Sequence, residues 1–314
     1  MSYTSAPNTN DLFSLDLSTS FDVANPPWVY ESGSQDASTS QGPSVAWHSL
    51  TSYSNNRALV FGGDGGPDMP IETNADSAWI LNSNSFKWTW ETANWAGEPI
   101  RRMYHSAASS SKSVWITGGQ KADGSGIAFQ DTIEFPGSGN NAAFVTLPAP
   151  NGTLPLDLLG HRSIMLPSGM LFVLGGYSPS QSALISMSVL HYLDTTSNTP
   201  TWGNLTLQGE VPSPRRNFAI ALLSNNQILI HGGGDATLQN LYSDGAILNL
   251  QMTPISWVSA PALDGTLGAL IDHMAIGVGN SVLFGFGEHS DLSTAPVTEP
   301  LMQVAVPMAL DLLV

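Results

Sequence analysis

The chain has 314 residues, 9 Lys and Arg against 25 Asp and Glu, a net charge of −16 and no cysteine. With only Lys87, Lys112 and Lys121 as lysines, it has no basic stripe for nucleic acid or an anionic membrane surface. The missing cysteines remove disulfides, thiolate zinc sites and cysteine nucleophiles together.

In chain order, residues 1–9 form a polar tail without the apolar core of a signal peptide, which fits a cytoplasmic protein or, as preferred here, a mature or trimmed chain outside the cell. NDLFSLDLSTSFDVANPPW (10–28) reads as half of a unit, a strand-like LFSLDL followed by Trp28. The first full unit carries His48, the apolar run LVFGGD ending in Gly62-Gly63, a loop with Asp64, Asp68, Glu72 and Asp76, the run SAWILN and Trp88. The second repeats this order: RRMYHS with His105, WITGGQ with Gly118-Gly119, Asp123, DTIEF from Asp131, and Phe144. The third has GHRS with His161, FVLGGY with Gly175-Gly176, SVLHYLD and Trp202. The fourth has PSPRRNF with Phe218 in place of the histidine, ILIHGGG with Gly232-Gly233, Asp235, GAILNL from Gly245, and Trp257. A fifth begins at His273, and its glycine pair is interrupted by Phe286 (LFGFGE); Glu288 follows, but no late aromatic. No run of about 18 apolar residues is present, so no helical membrane span is expected.

Runs of strand length bounded by Gly, Pro, Asn and Ser clusters, in the order strand, strand with diglycine, loop, strand, strand with aromatic, predict an all-β repeat of four-stranded antiparallel meanders. The half-units at the two ends are complementary. Residues 10–31 and 273–287 are therefore expected to share a closing blade, giving five blades in a single domain over 1–314 without exposed sheet edges. The alternative is an incomplete six-bladed ring. The apolar segment 294–314 fits no unit.

The diglycine runs, the upstream Arg and His segments and the late Trp together resemble the kelch repeat, in which each unit is one blade of a β-propeller. The segment from Asn10 to Trp28 is similar to the opening of fungal kelch-domain proteins that are secreted or membrane-anchored. The resemblance implies fold rather than activity, since propellers carry binding proteins, scaffolds and a few enzymes. The absent cysteine also removes the Cys–Tyr copper-radical chemistry of galactose-oxidase-like propellers.

The in-step His48, His105, His161 and His273 are read as structural, because equivalent positions on successive blades are too far apart to share one ion. Arg101, Arg102, Arg162, Arg215 and Arg216 are read as backbone-bonding bridges. The candidate binding residues lie in the loops after the glycine pairs, on one face of the ring: Asp64, Asp68, Glu72, Asp123, Asp235 and Glu288, with Trp90 and Trp95 as out-of-register aromatics. Their spacing matches no calcium loop, so solvated turn acids are the default. Asn151 and Asn204 head glycosylation sequons. Neither a catalytic arrangement nor a cofactor motif is present. The expected function is a non-catalytic extracellular or cell-surface module that binds a protein or glycan. The alternatives are a scaffold that self-associates through 301–314, and an isomerase- or lyase-type enzyme at the ring's mouth.

Overall fold

The computed structural model describes residues 8–22, 25–33, 41–54, 56–65, 77–90, 97–110, 112–137, 143–263, 267–279, 281–289 and 302–307. It is all-β, with antiparallel sheets in a propeller arrangement. Four blades each carry the predicted four-stranded meander. The first is built from Ala46–Ser54, Arg57–Asp64, Ala78–Asn82 and Lys87–Trp90. The second runs Ser106–Ser109, Ser113–Thr117, Thr132–Pro136 and Val145–Thr146. The third is Arg162–Met165, Met170–Leu174, Val189–Asp194 and Trp202–Thr206. The fourth is Ala219–Leu222, Gln227–His231, Gly245–Asn249 and Ser256–Ser259, with Gln208–Gly209 added in parallel beside Ser256 and Trp257.

The fifth sheet departs from the expectation. Met274–Val278 and Ser281–Gly285 pair as expected, but the third strand is Met302–Pro307, with Ser281 opposite Pro307 and Gly285 opposite Met302. The N-terminal strands Leu12–Ser14 and Val29–Ser32 pair with each other instead. Among the described residues four blades are complete, and the closing sheet takes its third strand from the C-terminal segment. That segment alternates and is β-rich (MQVAVP), which suits it to the open edge of Ser281–Gly285. Its backbone is thus paired within the chain.

The core lies between blades. Leu59, Phe61, Val114, Ile116, Ile133 and Phe135 join the first two blades, and Phe172, Leu190, Ile228, Ile230, Leu248 and Trp257 join the third and fourth. The second strand of a blade is covered on both faces, and SVWIT and QILIH are buried throughout. That explains continuous apolar runs where a one-sided strand would alternate. Burying each large apolar side chain contributes about 1.5–3 kcal/mol.

The late aromatics reach back to the preceding blade. Trp257 Nε1 donates to the Met187 carbonyl at 2.7 Å and Trp202 Nε1 to Thr132 Oγ1 at 2.9 Å. Phe144 sits 5.9 Å from Phe61, ring to ring. At three seams the in-step histidines bond across blades: His105 Nε2 lies 2.9 Å from Ser49 Oγ, His161 Nε2 2.9 Å from Thr117 Oγ1, and His273 Nε2 2.9 Å from His231 Nδ1. The first glycine of each pair needs its lack of a side chain for the same contact. At Gly118 (φ 59°) a Cβ would lie 2.7 Å from the Leu158 carbonyl oxygen and 2.8 Å from the His161 ring.

Candidate functional site

One residue before each in-step His or Phe stands a position that the repeat pattern leaves variable: Trp47, Tyr104, Gly160, Asn217 and Asp272. All five are left-handed, with φ of 56°, 58°, 63°, 58° and 54°. Four of them carry side chains there, in a conformation that costs about 1–2 kcal/mol outside glycine and that clusters at functional surfaces. A belt of backbone hydrogen bonds holds them. The Gly160 N–H donates to the Tyr104 carbonyl at 2.9 Å, Asn217 N–H to Gly160 at 2.8 Å, and Asp272 N–H to Asn217 at 3.0 Å. Successive blades are thereby tied together at the neck of the ring.

A second set surrounds the first. The residues just after the glycine pairs, Asp64, Gln120, Tyr177 and Glu288, pair antiparallel with Ala46, Met103, Leu159 and Ile271, and Gly234 pairs with Arg216. The residues that directly follow the glycine pairs thus stand around one mouth. Asn217 Nδ2 donates to both Asp272 oxygens at 2.9 and 3.1 Å, with an Arg162 nitrogen 3.7 Å away. Trp47 and Tyr104 rings are 5.3 Å apart, and the Arg216 guanidinium lies 5.7 Å from the Tyr177 ring centre.

The electrostatics of the mouth are dominated by acid. Burial pushes the Tyr104 hydroxyl up to about 12, and Asp272, Asp64 and Glu288 add to the rise against the opposing Arg216. Burial, followed by repulsion from Asp272, raises Glu288. Arg216 is lowered by burial while Tyr104, Asp272, Tyr177 and Asp235 favour its charge. Such a surface accepts hydrogen bonds from cationic or amide donors and offers aromatic faces for stacking. Among the described residues no group of three or more His, Asp or Glu could hold a metal ion.

Of the residues singled out from sequence, Asp64 and Glu288 come together at this mouth. Asp235 stands at its edge and is occupied by its own turn, accepting from Asn240 Nδ2 at 2.5 Å, from Thr237 Oγ1 at 2.8 Å and from the Thr237 and Gln239 N–H groups at 2.9 and 3.2 Å, which lower it to about 2. Asp123 is likewise a turn acid, paired with Lys121 Nζ at 2.6 Å and with Ser125 N–H at 3.0 Å. Trp90 closes the fourth strand of the first blade opposite Trp79. Its side chain, together with Asp68, Glu72, Asp76 and Trp95, lies outside the described residues. Asn151 and Asn204 are both exposed.

Arg102, Arg162 and Arg215 bond backbone, and two of them also take a carboxylate just before a third strand. Arg102 donates to Asp131 Oδ2 at 3.0 Å and to the Gly118 carbonyl at 3.1 Å. Arg215 does the same with Asp244 Oδ2 at 2.9 Å and Gly232 at 3.0 Å. Trp47, Tyr104, Asn217 and Asp272 were missed, although their fixed offset from the in-step His or Phe was a readable signal.

Repeated antiparallel four-stranded blades, with their connecting loops gathered at one mouth, define the chain as a β-propeller. A family model described as the KLHDC2/KLHL20/DRC7 kelch-repeats domain matches residues 47–287, and the chain belongs to this kelch-repeat family. It is 25% identical over 241 residues to Adagio-like protein 1 of Oryza sativa subsp. japonica, covering 74% of this chain and 35% of that protein. It is also 31% identical over 127 residues to the Rho GTPase-activating protein gacHH of Dictyostelium discoideum, covering 40% and 8%, and 29% identical over 108 residues to the serine/threonine-protein phosphatase BSL2 of Arabidopsis thaliana, covering 34% and 10%. The chain thus spans about a third or less of these relatives. No helix among the described residues is long and apolar enough to cross a membrane.

Proposed function

We propose that the chain is a protein-interaction module whose mouth, framed by Trp47, Tyr104, Asn217 and Asp272, captures a segment carrying cationic side chains. The observation that carries this is the gathering of Asp64, Asp272 and Glu288 around Tyr104, opposed by Arg216. Acidic complementarity of this kind raises association rate and specificity, and it weakens with salt. The kelch-repeat membership supports a binding role over a catalytic one. Selection from a random displayed-peptide library should enrich Lys and Arg, and the enriched peptides should bind several-fold more weakly to a Glu288→Gln, Asp64→Asn double variant. Enrichment of acidic or uncharged peptides would overturn the reading.

An extracellular or cell-surface setting extends the proposal, supported by the exposure of Asn151 and Asn204 within sequons. On secretion from a glycosylating host, a mobility shift removed by endoglycosidase and by Asn151→Gln or Asn204→Gln supports that setting, and unmodified protein speaks against it.

A further inference from the structure

Four seams between neighbouring sheets are closed by the same device, and the fifth is not. At three of the closed seams, the backbone N–H groups of Gly119, Gly176 and Gly233 donate to the Leu158, Arg215 and Leu270 carbonyls of the next blade at 2.9, 2.9 and 2.8 Å. The first-glycine positions Gly62, Gly118, Gly175 and Gly232 allow this approach, since a Cβ at any of them would lie within 2.3–2.9 Å of a carbonyl oxygen in the next blade. Between the fifth sheet and the first blade, the equivalent position is Phe286, at φ 59°. Phe286 is 43% exposed, and its ring lies 5.8 Å from that of Trp28.

What the open seam leaves is a cavity of about 570 Å³, within the range of small-molecule sites. Its walls are mostly apolar, with Leu50, Val60 and Trp88 from the first blade, Ile276 and Leu283 from the fifth sheet and Trp28 from the N-terminal segment, while Asn10 and Asp11 add polar groups at one side. His48 is also in the wall. Its Nδ1 lies 3.1 Å from the Val45 carbonyl, an oxygen that can only accept, so Nδ1 carries the proton and Nε2 presents a lone pair. At the three other seams that carry a histidine, the equivalent Nε2 has a partner on the preceding blade. Among the described residues, that of His48 has none, and the imidazole is exposed within the cavity.

We infer that this seam cavity is a binding site for a flat, largely apolar small molecule of two or three fused rings with one hydroxyl or N–H, which donates to His48 Nε2. The site is separate from the mouth, and its test does not depend on the mouth's ligand. Equilibrium dialysis against 2-naphthol and against naphthalene reads it, the two probes differing in one hydroxyl. The inference expects saturable uptake of 2-naphthol at one site per chain. His48→Phe weakens 2-naphthol about fivefold or more while leaving naphthalene within about twofold, the size of effect one neutral hydrogen bond provides. Leu50→Trp fills the cavity from a half-exposed position and removes uptake of both probes; near-UV circular dichroism confirms that each variant is folded. Should His48→Phe fail to fold, His48→Leu takes its place; it has no acceptor and is expected to weaken 2-naphthol in the same selective way. Absence of saturable uptake, survival of uptake in Leu50→Trp, or equal loss of both probes on replacing His48 would overturn the inference.

Discussion

The closed seams and the open one are built from the same repeat positions, and comparing them shows what the next blade contributes. Where a following blade is present, the first glycine is obligatory and the histidine Nε2 is spent on a neighbour's Ser49, Thr117 or His231. The late aromatic likewise spends itself on the blade behind. At the open seam the same positions hold Phe286, His48 and Trp88, and all three line a cavity. Packing and chemistry are thus alternative uses of one residue, decided by whether a partner surface arrives. The equivalence of these positions makes the comparison breakable by mutation.

The largest effect is expected from Gly118→Val at a closed seam. The left-handed φ and the Leu158 oxygen 2.7 Å from a built Cβ together should cost about 3 kcal/mol or more, read as a drop in denaturant midpoint. An unchanged midpoint would mean that the close approach is not required. Next is acid. Burial, with Arg162 nearby, lowers His161 to about 3, so its neutral form stabilises the fold above the ordinary histidine value, and that contribution is lost as pH falls from about 6.5 toward 3, where only the unfolded chain takes the proton. Stability should fall by about 1 kcal/mol per pH unit across that window, with a shallower slope in His161→Gln; parallel slopes would refute it.

Trp202→Phe keeps the ring but removes the bond to Thr132 Oγ1, and about 1 kcal/mol should be lost, measurable by urea titration. The smallest effect is at the open seam. Phe286→Gly relieves a left-handed side chain and gives up contact with Trp28, so the two terms oppose and the net change should stay within about 1 kcal/mol. If Phe286→Gly proved as costly as Gly118→Val, the seams would not differ in the way described.

The glycines, the in-step histidines and the late aromatics were readable because each is imposed by a local rule: φ above zero, a tight approach, a large ring to bury. The third strand of the closing sheet was not. Met302–Pro307 follows its partner by a long connection and carries no diglycine or aromatic mark, while residues 10–31 imitate half a unit well enough to claim its place. At the mouth, Asp64 and Glu288 were visible as acids after glycines, but the neck was not. Asn217 and Asp272 belong to residue types that tolerate left-handed backbone, whereas Trp47 and Tyr104 do not advertise it. Turn acids such as Asp123 and Asp235 look identical in sequence to site acids, and only the donors around them tell the two apart.

The belt running from Tyr104 through Gly160 and Asn217 to Asp272 joins four successive units by backbone bonds, and so it couples them mechanically. Tilting of one of these units therefore pulls on its neighbours through a line of backbone bonds, whereas among the described residues no bond of the belt joins the fifth sheet to the first blade, so a guest in that seam would be held by side-chain contacts alone.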